Sequence, residues 1–458
     1  MSDNQTAAVT AESKTASAVA NKSGIEGTLD RFFKLTEHKT TVKTEVLAGF
    51  TTFITMCYVV FVIPGMLSAT GMDKGALFVA TCLIAGVSTI IMGLYANWPI
   101  GLAPGLGLNA FFAYAVVLGM GYSWEQAMGA VFWGGIGFMV LSLFKVREWI
   151  VDSIPPSLRA GITCGIGFFL AIIALKTAGV VVANQGTIVG LGDIVSFEPL
   201  MAGLSLILIL ALAQRGLKAA VLIAIAVVSL IALATGHVEF SGVASMPPSI
   251  EPILGKLDIM GALNVEMVGV IIAFLFVNLF DTTGTLIAVG DRAGLTDENG
   301  KMRNMSRAMV TDGTASWIGA LFGTPTVTSY IESASGVSAG GRTGLTAVVI
   351  GALFLVTLFL SPLAGMVPGY ATAGALLYVA ILMTSSLAKI DWDDMTEAGP
   401  VVITALMMPL SFSISNGIAL GFISYPLIKL LAGRHSEISI SMWALAALFA
   451  LKFVFFGV

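Results

Sequence analysis

The chain has 458 residues, 57% of them hydrophobic and only 11% charged, with a mean hydropathy of +0.93. A soluble surface cannot be built from that composition, so the chain reads as a polytopic membrane protein. A net charge of −4 adds little, and no nucleic-acid partner is expected. The three cysteines, Cys57, Cys82 and Cys164, lie in apolar segments without paired spacing, which suggests neither a disulfide framework nor a metal site.

Residues 1–44 are polar and contain no apolar stretch ahead of a small-residue cleavage site, so they are not a signal peptide. Residues 1 to about 25 read as disordered. Leu29, Phe32, Phe33 and Leu35 recur at nearly helical spacing, which suits a short interfacial helix as well as a structureless tail. Apolar runs follow at roughly 47–68, 76–96, 105–118, 124–144, 158–180, 199–214, 217–236, 266–289, 308–323, 330–338, 344–360, 370–388, 397–413 and 416–432. A helix of ~20 residues spans the hydrocarbon core, so these make fourteen segments, two of them short.

The basic residues fall on one side. Lys34, Lys39 and Lys43 precede segment 1; Lys145, Arg147 and Arg159 follow segment 4; Arg215 and Lys218 separate segments 6 and 7. Arg292, Lys301, Arg303 and Arg307 follow segment 8, and Arg342, Lys389, Lys429 and Arg434 complete the set. The opposite loops, 181–198 and 237–264, hold Lys256 alone. Positive residues collect in the cytoplasm, so both ends of the unit are expected there. A last apolar stretch within 433–458 is either a fifteenth span or an interfacial helix, and Lys452 inside it favours the second.

Fourteen divides into seven plus seven, and an odd half re-enters from the opposite side. The expected fold is therefore all-α, with two inverted repeats at 45–236 and 266–432 joined by an extracytoplasmic loop at 237–265. The third element of each half is interrupted in the same way. NWPIGLAPGLGLNAFFAY carries Pro99, Pro104 and Gly105 before Asn109; FGTPTVTSYIESASGVSAGG carries Pro325 before Glu332 and glycines after it. Neither can be a continuous helix, and Thr326 and Thr328 suit a short extended stretch. Broken segments at membrane depth survive only when buried or lining a polar cavity, and a matched pair points to a transport site.

Two acids stand out in apolar surroundings. Asp281 lies in VGVIIAFLFVNLFDTTGTLIAVG and Glu332 in the second broken segment. An ionisable group at that depth is costly and marks a substrate or proton site.

The strings GLAPGLGLNAFFAY, VNLFDTTGTLIAVGDRAGL and TPTVTSYIESASGVSAGGRTGLTAVV resemble the signature segments of the nucleobase:cation symporter family, in its azaguanine-resistance branch of purine permeases. The resemblance runs through nearly the whole chain. It implies proton-coupled uptake of a purine nucleobase, with a core of segments 1–4 and 8–11 moving against a gate of segments 5–7 and 12–14. Within the branch, carriers of hypoxanthine and guanine tend to show Asp where this chain has Asn278, and adenine carriers Asn. The resemblance thus favours adenine, with a hypoxanthine/guanine symporter as the alternative.

The residues can be read beside it. A purine presents donors and acceptors that a dry pocket must match. A carboxylate accepts when ionised and donates when protonated, so one residue can couple proton loading to recognition of a base edge. His38, His237 and His435 lie in tails or loops, which leaves the acids. Glu332 is the first choice for binding the purine, because it opens a half-helix whose amides also face the cavity; Asp281 is the proton-linked partner. Asn278 shares a helical face with Asp281. Asn109 is placed as the counterpart of Glu332 on the first half-helix, with a backbone-capping role nearly as well supported. Thr55 in segment 1 and Tyr330, which can stack on a ring, complete the candidate substrate contacts. Thr282, Thr283 and Thr285 are expected to bond their own helix. No cofactor is called for beyond the proton as coupling ion; a homodimer through the gate is carried as a candidate assembly.

Other classes fare worse. The GxGD string Gly190–Asp193 sits in an outer loop, and no Tyr-Asp dipeptide supplies a second acid for a membrane protease. HExxH and GxSxG are absent, so no enzyme is indicated. A channel remains the rival of different class. A sulfate or bicarbonate carrier on the same fold would want a cationic site, which two midplane acids oppose.

Overall fold

The computed structural model describes residues 24–143, 154–296 and 301–456; the expectations for the first 23 residues and for Lys145 and Arg147 lie outside them. An amphipathic helix, Ile25–Phe33 (α1), opens the fold and seats Phe33 and Leu35 against Leu345. Segment 1 is split into Val42–Met56 (α2) and Val59–Leu67 (α3) by a tight turn at Cys57–Tyr58, and Pro64 further weakens the second piece. Segment 2 is Lys74–Ile91 (α4), capped by Asp73 and run on as a π turn to Ala96. Segment 3 is a strand, Leu102–Pro104 (β1), followed by Leu106–Ala110 (α5) and a π turn to Val117.

Trp124–Leu143 (α6) is segment 4 and Pro156–Thr177 (α7) is segment 5, starting on the proline that a first helical turn tolerates. A hairpin of Val181–Asn184 (β2) and Ile188–Leu191 (β3) leads to Phe197–Gln214 (α8) and Ala220–Ala234 (α9). The second half begins with Val265–Arg292 (α10) and Met305–Leu321 (α11). Its broken element is Val327–Ser329 (β4) followed by Ser333–Ser338 (α12). Gly344–Thr357 (α13) and Ser361–Gly365 (α14) form segment 11; Gly369–Thr384 (α15), Met395–Leu410 (α16) and Ile414–Leu431 (α17) are segments 12–14. Ile440–Phe456 (α18) ends the described chain and packs Phe449 on Phe422 of α17.

Among the described residues, nine helical stretches are long and apolar enough to cross a membrane, and segments 3, 7 and 13 are shorter apolar helices. Segment 9 is more polar and segment 10 is the six-residue α12. The fourteen segments thus form two inverted sets of seven.

What ties the halves together is strand pairing at the centre of the bundle. β1 pairs antiparallel with β4, Leu102 opposite Ser329 and Pro104 opposite Val327. The ladder is extended by Gly105 N–H to Thr326 O at 2.9 Å and Tyr330 N–H to Gly101 O at 3.0 Å. α5 and α12 leave this ribbon in opposite directions. Around it, α2 and α4 pack on α13 and α6 packs on α10 and α11, while α7 packs on α15 and α16, and α15 on α8. Backbones meet directly where α4 ends against the start of α13: a Cβ on Gly344 would lie 1.9 Å from Gly93 O, so only glycine fits.

The N-terminus of α13 is held by an acid that the sequence analysis passed over. Glu45 of α2 is fully buried, and its carboxylate accepts from the backbone N–H of Arg342 (2.9 Å), Thr343 (3.3 Å) and Thr346 (3.2 Å) and from the Thr346 hydroxyl (2.6 Å). Those amides are the orphan donors of a helix start, satisfied here across chain halves. An ionic cluster lies where segment 13 begins and segment 14 ends. Lys429, 1% exposed, pairs with Glu397 (2.7 Å) and Glu437 (2.6 Å), and Arg434 with Asp394 (2.5 Å) and Glu437 (2.7 Å). Bonds from Thr396 and Arg434 hold the Asp394 carboxyl down to about 2, so the Asp394–Arg434 pair stays charged unless the pH falls that far.

Glu45→Ala takes the side-chain acceptor from three amides and is expected to lower stability by about 2–3 kcal/mol, with Glu45→Gln intermediate. Thermal unfolding of the detergent-purified variants checks this; an unchanged midpoint for the alanine variant contradicts the capping role.

Candidate substrate site

The turn that splits segment 1 has a purpose on the far side of the ribbon. It presents Tyr58, whose hydroxyl donates to Glu332 Oε1 at 2.7 Å. Glu332 immediately precedes α12 and is half-buried. Tyr330, two residues earlier, is nearly buried and donates its hydroxyl to Pro104 O at 2.5 Å, clamping β4 onto β1. Its ring is therefore held by the ribbon.

Asp281 sits at mid-length of α10, with the Thr328 hydroxyl and Glu332 as its electrostatic neighbours. It is exposed, and Gly284 one turn on meets no atom within 4 Å where a Cβ would stand. This face of α10 thus opens on a crevice. Two acids, a tyrosine hydroxyl and a threonine hydroxyl converge there, with Tyr378 of α15 within electrostatic reach of Glu332. The cluster can accept from N–H donors and, once protonated, donate to a ring nitrogen.

Asn278 is placed otherwise. It is 1% exposed, and its amide donates to Ser316 Oγ (3.0 Å) while its Oδ1 accepts from Thr282 (3.3 Å). Ser316 passes the chain on to Val327 O at 2.7 Å. Thr282 bonds its own helix at Asn278, as expected of it, and turns also to Asp312 Oδ1 at 2.9 Å, while Ser329 donates to the other oxygen at 2.8 Å. Asp312 and its partners form a closed polar layer behind β4, joining α10, α11 and the ribbon.

Asn109 also departs from the place assigned to it. The ribbon's pairing puts Gly105 and Tyr330 in equivalent positions, since each donates its N–H to the residue four before the other, Thr326 and Gly101 respectively. Counting on two residues makes Gly107, not Asn109, the counterpart of Glu332; Asn109 corresponds to Ala334. Its side chain is fully buried and donates to Gly105 O (2.6 Å) and Thr326 O (3.2 Å), stitching the first half-helix to the second repeat. Thr55 is half-buried and donates to its own helix at Thr52 O (2.7 Å). Phe111 and Phe112 are wholly buried, the first against Phe274. Gly105 must lack a side chain because a Cβ there would come within 2.8 Å of the Thr328 hydroxyl.

Two participants were missed. Asp312 is an intramembrane acid of the kind that singled out Asp281, and the same rule applied to segment 9 finds it. Tyr58 carries a weaker signal: a hydroxyl-bearing ring in the otherwise apolar run before Pro64.

Comparison with known proteins places this geometry. A family model described as Permease family matches residues 43–420. Adenine permease AdeP of Escherichia coli is 55% identical over 430 residues, covering 94% of this chain and 97% of that one. Adenine permease AdeQ of the same organism is 53% identical over 436 residues, covering 95% and 98%. Among solved structures, the transmembrane domain of the cyanobacterial bicarbonate transporter BicA superimposes with a TM-score of 0.61 at 16% identity, covering 84% of this chain and 97% of that one, a likeness of fold alone. With a family match over most of its length and relatives alike from end to end, this chain belongs to the permease family, the nucleobase:cation symporters that its motifs resemble.

Proposed function

We propose that this permease takes up a purine nucleobase, adenine in preference to hypoxanthine or guanine, together with a proton. The carrying observation is the Glu332 carboxylate, presented at the start of a half-helix, steadied by Tyr58 and facing Asp281 across an open crevice. Relatives named adenine permeases, at 53–55% identity, support the choice of purine.

Glu332 accepts from an N–H edge of the base, with Tyr330 and Tyr378 flanking it. Asp281 takes the coupling proton, with Thr328 as its partner. An unneutralised carboxylate at the midplane costs about 3 kcal/mol, so the loaded, protonated site crosses more readily than the empty, charged one. That difference is what couples the two fluxes. The group of segments 1–4 and 8–11 moves as a core against segments 5–7 and 12–14, carrying both acids with it. The setting is the bacterial cytoplasmic membrane with the N-terminus inside and the gate available for a homodimer; no cofactor enters beyond the proton. Asn109 pins the ribbon and Thr55 shapes the segment 1 wall, while Asn278 acts on the base through Ser316 and β4 rather than by touching it.

Uptake of radiolabelled adenine, hypoxanthine and guanine by proteoliposomes, with and without an imposed pH gradient, tests the reading. Glu332→Gln is expected to abolish binding and uptake, whereas Asp281→Asn keeps part of the binding but no longer responds to the gradient. Full, gradient-driven uptake by both variants overturns the assignment. Tyr58→Phe removes a bond to a charged acceptor worth about 1.5–3 kcal/mol, so adenine binding is expected to weaken by roughly tenfold or more. Asn278→Asp cannot donate to Ser316 and is expected to shift competition toward oxopurines; an unchanged competition profile removes the basis for preferring adenine.

A further inference from the structure

On the back of the site, α4 and α11 lie side by side, the second elements of the two repeats. A groove of about 220 Å³ runs between them, lined by Ile84, Val87 and Ile91 on one wall and Val310, Ala315 and Ile318 on the other. Two of its hydroxyls are turned into their own helices: Ser88 donates to Ile84 O at 2.5 Å and Thr311 to Arg307 O at 2.9 Å. From Ile84 to Tyr95 the helical rise is ~16 Å, close to half of a ~30 Å hydrocarbon core. The groove therefore has the length of one leaflet.

Its cytoplasmic end is polar. The Arg307 guanidinium lies 5.5 Å from the centroid of the half-exposed Tyr95 ring, and among the described residues Arg307 makes no ion pair. α11 starts at this level with Asn304 at φ 54° and no side-chain cap, so its first-turn amides lack a side-chain acceptor. A free cation, an interfacial tyrosine and uncapped amides at the mouth of an apolar slot match one class of occupant in charge and in length.

We propose that the groove holds one anionic glycerophospholipid of the cytoplasmic leaflet, its phosphate against Arg307, Tyr95 and the first turn of α11, with an acyl chain between α4 and α11. The opposite face of α11 carries Asp312 and Ser316, which hold β4. The lipid thus braces the helix that supports the substrate site.

The test is native mass spectrometry of the protein released from nanodiscs of phosphatidylcholine and phosphatidylglycerol. The wild type is expected to retain one phosphatidylglycerol well above its bulk share. Arg307→Gln is expected to lower that preference about fivefold, the share of one cation near an anionic surface. Val87→Trp, on the lipid-facing wall, fills the slot and is expected to lose the retained lipid whatever its headgroup. Retention at the bulk ratio by the wild type, an unaltered preference in Arg307→Gln, or undiminished retention in Val87→Trp would each overturn the assignment.

Discussion

Backbone at the centre of a bilayer has no water to bond, and this chain interrupts two helices there. The pairing of β1 with β4 is the solution, because each broken segment satisfies the other's amides and carbonyls. Everything near the site follows from that ribbon. It aims α5 and α12 apart, it sets Glu332 at the end of a rigid strand, and its own side chains, Thr328 and Ser329, reach Asp281 and Asp312 respectively. Asn109 and Tyr330 then act as stitches from each half to the other's backbone.

The ribbon also explains how much of the molecule was legible beforehand. Segment number, the inverted halves and the two interruptions are written in hydrophobic runs, basic loops and Pro/Gly placement, all local signals. Thr326 and Thr328 hinted at the strand because β-branched residues between Pro325 and a half-helix fit extended backbone. Register is not local. Asn109 sits as far into its motif as Glu332 does to the eye, yet the pairing offsets them by two residues, and nothing within either string encodes the other's alignment. Asn278 shows the same limit: helical spacing puts it on the face of Asp281, but a helix face spans enough arc for one residue to line a crevice and its neighbour to be buried against α11. Glu45 was hidden for a different reason, since a lone acid near a segment boundary looks like an ordinary interfacial charge until the helix start it caps is known.

The acids consequently divide by partner. Glu45 receives backbone amides and is structural; Asp312 receives two hydroxyls inside a closed layer; Glu332 and Asp281 keep part of their surface open. Only the open pair can exchange ligands during a transport cycle. The closed one transmits position, because α10, α11 and β4 all meet at Asp312.

The fold itself leaves the cargo undecided. It is shared, at low identity, with a bicarbonate transporter, whose cargo is an anion. In this chain the second half-helix begins with a carboxylate, so whatever positive potential its amides project is offset at the point where a ligand would meet it. A second carboxylate across the crevice makes the site repel anions outright. A neutral base with donor edges suffers no such repulsion, and a proton is attracted to the same charges. The inverted repeat supplies two half-helices, but the equivalent of Glu332 in the first is Gly107, and that asymmetry leaves a carboxylate on one half-helix alone.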